Sequence, residues 1–143
     1  WTCISPGAAL LLASDIQIGD PVSVHKAIKT LKEFDGIVEQ ASEEELANAA
    51  ALADRTGMYS CPHTGVALAV LIKLIEQQKI SRSDRVIVIS TAHGLKFSEF
   101  KVGYHERKLD GVKSVYANEP ASVEPSADKV REILEREFAK RKQ

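Results

Sequence analysis

The chain has 143 residues, enough for one domain, with 44% hydrophobic and 27% charged residues, an ordinary soluble composition. Its 19 basic and 20 acidic residues leave a net charge of -1, which argues against nucleic acid or an anionic membrane as the main partner. The longest apolar run, Val66 to Ile72, is too short to span a bilayer and is interrupted by Lys73.

Residues 1–14 are rich in Ala and Leu but show no clear period. Asp20 reads as a helix N-cap with Pro21 at the first helical position, followed by Val24, Ala27, Ile28 and Leu31 at helical spacing and a stop at Gly36. Ile37–Gln40 is a short strand candidate. Ser42 and Glu45 then form a capping box for a second helix, with Leu46, Ala49, Ala50 and Ala53 on one narrow face and Gly57 as terminator.

Met58–Cys61 is another possible strand, and Pro62 opens a third helix that is apolar almost all round from Val66 to Ile75. Arg85–Ser90 reads as a strand buried on both faces, because its apolar residues do not alternate with polar ones. Asn118–Ser126 is a Pro-containing loop. Ser126 caps a last helix with Val130, Ile133, Leu134 and Phe138 turned inward, ending in a basic tail. Strands alternating with helices predict an α/β fold with a small parallel sheet flanked by helices.

No complete catalytic motif is present: there is no GxSxG, HExxH, Walker A or GxGxxG. Cys3 and Cys61 are the only cysteines and form no CxxC pair, so a reducing compartment is the default. The chemistry-bearing candidates lie at turns. Thr91 follows the strand 85–90 and is either a ligand contact or a cap for the turn at Gly94. His93 is a base, a metal ligand with Cys61 and His63, or a turn histidine bonded to backbone; the metal set lacks a clear fourth ligand. Cys61 is a nucleophile or a buried structural thiol, Lys96 a Schiff-base or a surface lysine. Pro62–Gly65 is an anion-binding helix start or a simple cap, and Gly19 either lets backbone approach a ligand or ends a strand.

Three segments in register, Ile16–Ser23, Cys61–Leu68 and Ser90–Phe97, together with Gly36–Glu39 and Thr56–Met58, resemble the C-terminal part of plant-type threonine synthases. The resemblance covers about residue 13 to the early hundreds. It implies part of a fold-type II pyridoxal-phosphate enzyme domain, one that converts O-phosphohomoserine and water to threonine and phosphate. Thr91 matches the hydroxyl residue that bonds the cofactor's pyridine nitrogen. Cys61 matches a residue near the ring, and Ile16 to Gly19 a turn beside the cofactor face, so the implied cofactor-binding set is Thr91, Cys61, Ile16 and Gly19.

The Schiff-base lysine, the phosphate loop and the main substrate-phosphate contacts of the family lie upstream, so no catalytic residue is carried over. Asp15 stands where the family usually has a small residue, and residues 1–12 do not look like the family segment. With Trp1 in place of Met, the chain reads as a single partial domain of a longer protein, with its terminal helix and tail at 126–143. The resemblance further implies a homodimer when full length, located in the chloroplast for a plant or algal source and otherwise in the cytoplasm. Alternatives are a related enzyme such as cysteate synthase, and a non-catalytic truncated interaction module.

Overall fold

The computed structural model describes residues 12–14 and 21–140. Five α-helices fall within them: α1 Val24–Glu33, α2 Glu43–Asp54, α3 Pro62–Glu76, α4 Ser98–His105 and α5 Ala127–Lys140. A 3₁₀ turn, Gly94–Phe97, leads into α4.

The strongest local signals in the sequence set α2 and α3. Ser42 Oγ accepts the Glu45 N–H at 3.2 Å while the Glu45 carboxylate accepts the Ser42 N–H at 2.7 Å, so two donors at the α2 start are satisfied reciprocally. Pro62 opens α3, where its missing N–H loses no helical bond. The two helices pack closely because small residues meet: Ala50 on α2 lies against Gly65 on α3, with Ala49 and Ala69 in the groove beside them. A Cβ on Gly65 would sit 2.5 Å from the Leu46 carbonyl oxygen and 3.1 Å from Ala50 Cβ.

The core grows from this pair. Leu46, Ala47, Ala50 and Ala51 cluster with Phe100 and Tyr104 of α4 and with Ala13, while Leu12, Val66, Phe97, Leu109 and Tyr116 pack around them. Leu12 and Ala13, given no role by the sequence, therefore belong to the core; the Leu12 N–H also donates to the Glu43 carboxylate at 3.0 Å. Tyr104 donates its hydroxyl to Asn48 Oδ1 at 2.6 Å and accepts the Tyr116 N–H at 3.0 Å, which ties the loop after α4 onto α2.

Several expectations need correction. The parallel sheet is absent: no strand occurs among the described residues, and a single antiparallel bridge joins Ser60 to His93. Strand bonds are made between segments, and here Ile37–Gln40, Met58–Cys61 and Arg85–Ser90 build no ladder with one another. Segment 85–90 is not buried on two faces either; Ile87 and Ile89 are 90% and 76% exposed. Nor is α5 turned inward: none of its residues is buried, and Val130, Leu134 and Phe138 face solvent. α3 is likewise not covered all round, since Ile72 and Ile75 are exposed.

Helix boundaries shift as well. α1 begins at Val24 after Ser23, not at Pro21, and Asp20 lies outside the described residues. Its end is a Schellman turn in which Asp35, not Gly36, takes the left-handed conformation at φ 50°, with the Gly36 N–H donating to the Leu31 carbonyl at 2.7 Å. α2 ends at Asp54, before Gly57. α4 had no counterpart in the sequence reading; at eight residues it is two turns long, and its buried residues include a lysine.

Replacing Gly65 by Ala should force α2 and α3 apart and destabilise the chain by about 1–3 kcal/mol, the usual range for overpacking. A lowered urea midpoint at unchanged slope checks this.

Candidate functional site

The C-terminal end of α2, the N-terminus of α3 and the strap from Ser90 to Gly94 meet at one place. Asp54 organises it. Its carboxylate accepts the Ser60 N–H at 2.9 Å, lies 3.3 Å from the Ser60 hydroxyl, and forms an ion pair with Lys101 of α4. Lys101 is only 3% exposed, and its ammonium lies 5.0 Å from the Tyr59 ring centroid and 5.7 Å from that of Phe100. Aromatic faces on one cation and a carboxylate as its partner make the burial tolerable.

This hub sets the register of the strap. The Gly94 N–H donates to the Tyr59 carbonyl at 2.8 Å, next to the Ser60–His93 bridge. Gly94 is buried, and a Cβ there would meet Tyr59 Cδ1 at 2.7 Å, Lys101 Cε at 2.9 Å and the Ser60 carbonyl at 3.0 Å. Only a residue without a side chain lets the strap lie this close.

The register brings thiol and hydroxyls together across about thirty residues of chain. Cys61 is the N-cap of α3, and its Sγ accepts the Thr64 N–H at 3.4 Å. Cys61 Sγ and Thr64 Oγ1 share a hydrogen bond at 3.2 Å, Thr64 Oγ1 another with Ser90 Oγ at 3.1 Å, and Thr91 Oγ1 lies 3.9 Å from Cys61 Sγ. Burial opposes ionisation of the Cys61 thiol. Hydrogen bonds from the Thr64 side chain and backbone, His63 and Thr91 outweigh it and bring the thiol down to about 6. Cys61 also has the helix start behind it, a setting that favours a thiolate.

Thr91 is exposed on the wall of a cleft of about 360 Å³, lined by Gly57, Met58, Tyr59, Ser90, Thr91, Ala92 and His93. His93 accepts the Leu95 N–H on Nδ1 at 3.2 Å and its ring stands 5.6 Å from that of Tyr59. A separate groove of about 240 Å³ between α2 and α3, including Asn48, Leu52, Ile72 and Tyr116, shares no residue with this cleft. There Lys73 is already paired with Glu45 at 2.9 Å.

Of the four residues expected at a cofactor, Thr91 and Cys61 are thus neighbours, while Ile16 and Gly19, like Asp15 beside them, lie outside the described residues. Asp54, Ser60 and Lys101 were not anticipated. Their signal was faint: an Asp at a helix end and a Lys one place after a core Phe look like surface charges until the fold buries them. No described helix is long and apolar enough to cross a membrane.

Depressing a thiol has a definite sign. With the folded value at about 6 and the ordinary value at 9.0, the unfolded chain binds more protons between these limits. Cys61 therefore contributes stability that is fully present above pH 9.0 and is lost as pH falls through about 6. Thr64→Val should raise the thiol's pKa, followed as thiolate ultraviolet absorbance against pH in a Cys3→Ser background. Cys61→Ser should flatten the stability profile across that window.

No protein-family model matches the chain. Among curated proteins it is 51% identical over 122 residues to the chloroplastic threonine synthase 2 of Arabidopsis thaliana, a match covering 85% of this chain and 24% of that protein. It is 36% identical over 86 residues to the threonine synthase of Methanocaldococcus jannaschii, covering 59% of this chain and 21% of that one. A threonine synthase of Methanosarcina acetivorans is 31% identical over 124 residues, covering 86% of this chain and 28% of the relative. The chain spans about a quarter of the length of the curated relatives it matches. A stretch of 122 residues out of 143 necessarily includes the centre of the chain, with Cys61, Thr91 and His93. Over that stretch the chain is a homologue of the threonine synthases.

Proposed function

We propose that this chain is a single partial domain from the C-terminal part of a threonine synthase, which converts O-phosphohomoserine and water to threonine and phosphate with pyridoxal 5'-phosphate. The observation that carries this reading is the 51% identity to the Arabidopsis relative across 85% of the chain. The relatives described above are all named threonine synthases, which favours this reading over cysteate synthase or a non-catalytic module.

The cleft wall suits one edge of a pyridine ring. Gly57 leaves space, Ser90 and Thr91 offer hydroxyls, and no carboxylate is among the described lining residues. In the proposed site the Thr91 hydroxyl turns its one proton from the Cys61 sulfur, 3.9 Å away, to the ring nitrogen. When bound, the cofactor supplies the electron sink for elimination and replacement at the substrate's carbons. A neutral hydroxyl leaves that nitrogen without the proton an aspartate would hold there. This moderates the sink and suits replacement over transamination.

Cys61 supports Thr91 from below. Its sulfur is buried 3.9 Å from the Thr91 hydroxyl, and its own position is fixed by Thr64. We assign Ile16 and Gly19 to the same cofactor face, on the family resemblance. In a plant or alga the protein would reside in the chloroplast, as the name of the Arabidopsis relative states for that protein. When full length it would be a homodimer.

The test is a chimera in which this chain replaces the matched stretch of the Arabidopsis relative. It should restore growth to a threonine-synthase-deficient bacterium and release phosphate from O-phosphohomoserine. Thr91→Ala should lower kcat/KM by about 10- to 100-fold, the loss of one hydrogen bond to a polarised group, and Thr91→Ser should stay within a few-fold. An inactive chimera, or a Thr91→Ala variant as active as its parent, would overturn the reading or the role of Thr91 respectively.

A further inference from the structure

The function assigned to the cleft does not absorb His93. The Leu95 N–H can only donate, so the His93 Nδ1 that meets it at 3.2 Å must present a lone pair. In the neutral ring the proton then sits on Nε2. That nitrogen makes no hydrogen bond to a described residue, and the exposed ring lines the cleft next to Ser90, Thr91 and Ala92. The ring is also held in place. Its backbone is bridged to Ser60, the following N–H is bonded to the Tyr59 carbonyl, and the Tyr59 ring flanks it at 5.6 Å.

We propose that His93 is a ligand-binding residue whose fixed Nε2–H donates to a carboxylate or phosphate oxygen of the molecule seated in the cleft beside Thr91. This rests on the cofactor-site reading of the cleft given above. The lining carries the Tyr59 and Thr91 hydroxyls and no described carboxylate, so it complements acceptor oxygens, and a hydrogen bond to an ionised acceptor is the stronger kind. In this state His93 is a donor and not a base, because one ring nitrogen is committed to the turn and the other already carries the proton. It cannot serve as a metal ligand through Nε2 for the same reason. The oxyanion can belong to the substrate or to the cofactor; the chemistry is shared, and the two sources separate in the assay.

The two ring nitrogens can be tested apart. Asparagine at 93 keeps a side-chain acceptor for the Leu95 N–H but is too short to replace Nε2. Glutamine carries an amide N–H about as far as Nε2. In the active chimera, His93→Asn should leave the unfolding midpoint unchanged. It should raise by about 5- to 10-fold either the KM for O-phosphohomoserine, if the oxyanion is the substrate's, or the Kd for pyridoxal phosphate, if it is the cofactor's. His93→Gln should recover part of that loss. A His93→Asn variant with both constants within two-fold of the parent overturns the proposal. An inactive parent chimera counts against the threonine synthase reading instead. The inference is then decided by nitrogen NMR of the histidine rings in this chain, assigned with His93→Asn: a protonated Nε2 on His93 supports it, and a protonated Nδ1 overturns it.

Discussion

The buried pairing of Asp54 with Lys101 is the constraint on which the rest of the arrangement depends. One carboxylate closes the end of α2, receives the Ser60 N–H, and neutralises a cation brought in by α4. Without it a lysine ammonium would be left between two aromatic rings, away from water. Breaking such a pair from one side is among the more destabilising single changes, because it leaves the partner charge buried. The pair spans 47 positions of sequence, so it fixes the chain's topology as well as its local geometry.

From that hub the site follows by short steps. Ser60 is pinned, so Cys61 falls at the N-cap of α3; Tyr59 is pinned, so its carbonyl receives Gly94; and Gly94 has no side chain to resist. The strap before Gly94 then lies across the α3 start, with Ser90 bonded to Thr64 and Thr91 beside the sulfur. None of the groups facing the cleft participates in the ion pair. Charge is used to set the register, and neutral groups line the cleft.

How much of this was legible in the sequence depended on how local each signal is. The capping box at Ser42 and Glu45, Pro62 at the start of α3 and Ser126 just before α5 each act within one turn, and each marks a real helix start. The small residues on one face of α2 meet Gly65 of α3 at close range. Strands failed because they are made by their neighbours: an apolar run such as Val86–Ile89 has the right residues, yet no described segment lies alongside to complete it. The end of α1 was missed by one residue because Asp35, not the adjacent glycine, adopts the left-handed conformation; Gln78 and Arg107 end α3 and α4 the same way. The closeness of Cys61 to Thr91 was readable only through the family resemblance. Asp54 and Lys101 carry no local signal, since a buried ion pair is known only once its burial is.

The bare isoleucines of segment 85–90 have a thermodynamic consequence. Ile87 and Ile89 run directly into Ser90 and Thr91, so the apolar surface and the hydroxyls of the cleft wall share one short piece of backbone. A surface that covers the first touches backbone adjoining the second. By mass action, a surface that binds these isoleucines in the native chain raises its stability in proportion to how well it binds. A cover that held Thr91 in its bound conformation would spare a ligand that ordering cost and so tighten its affinity. If covering the isoleucines tightens the hold on a molecule in the cleft, filling the cleft must tighten that cover by the same factor.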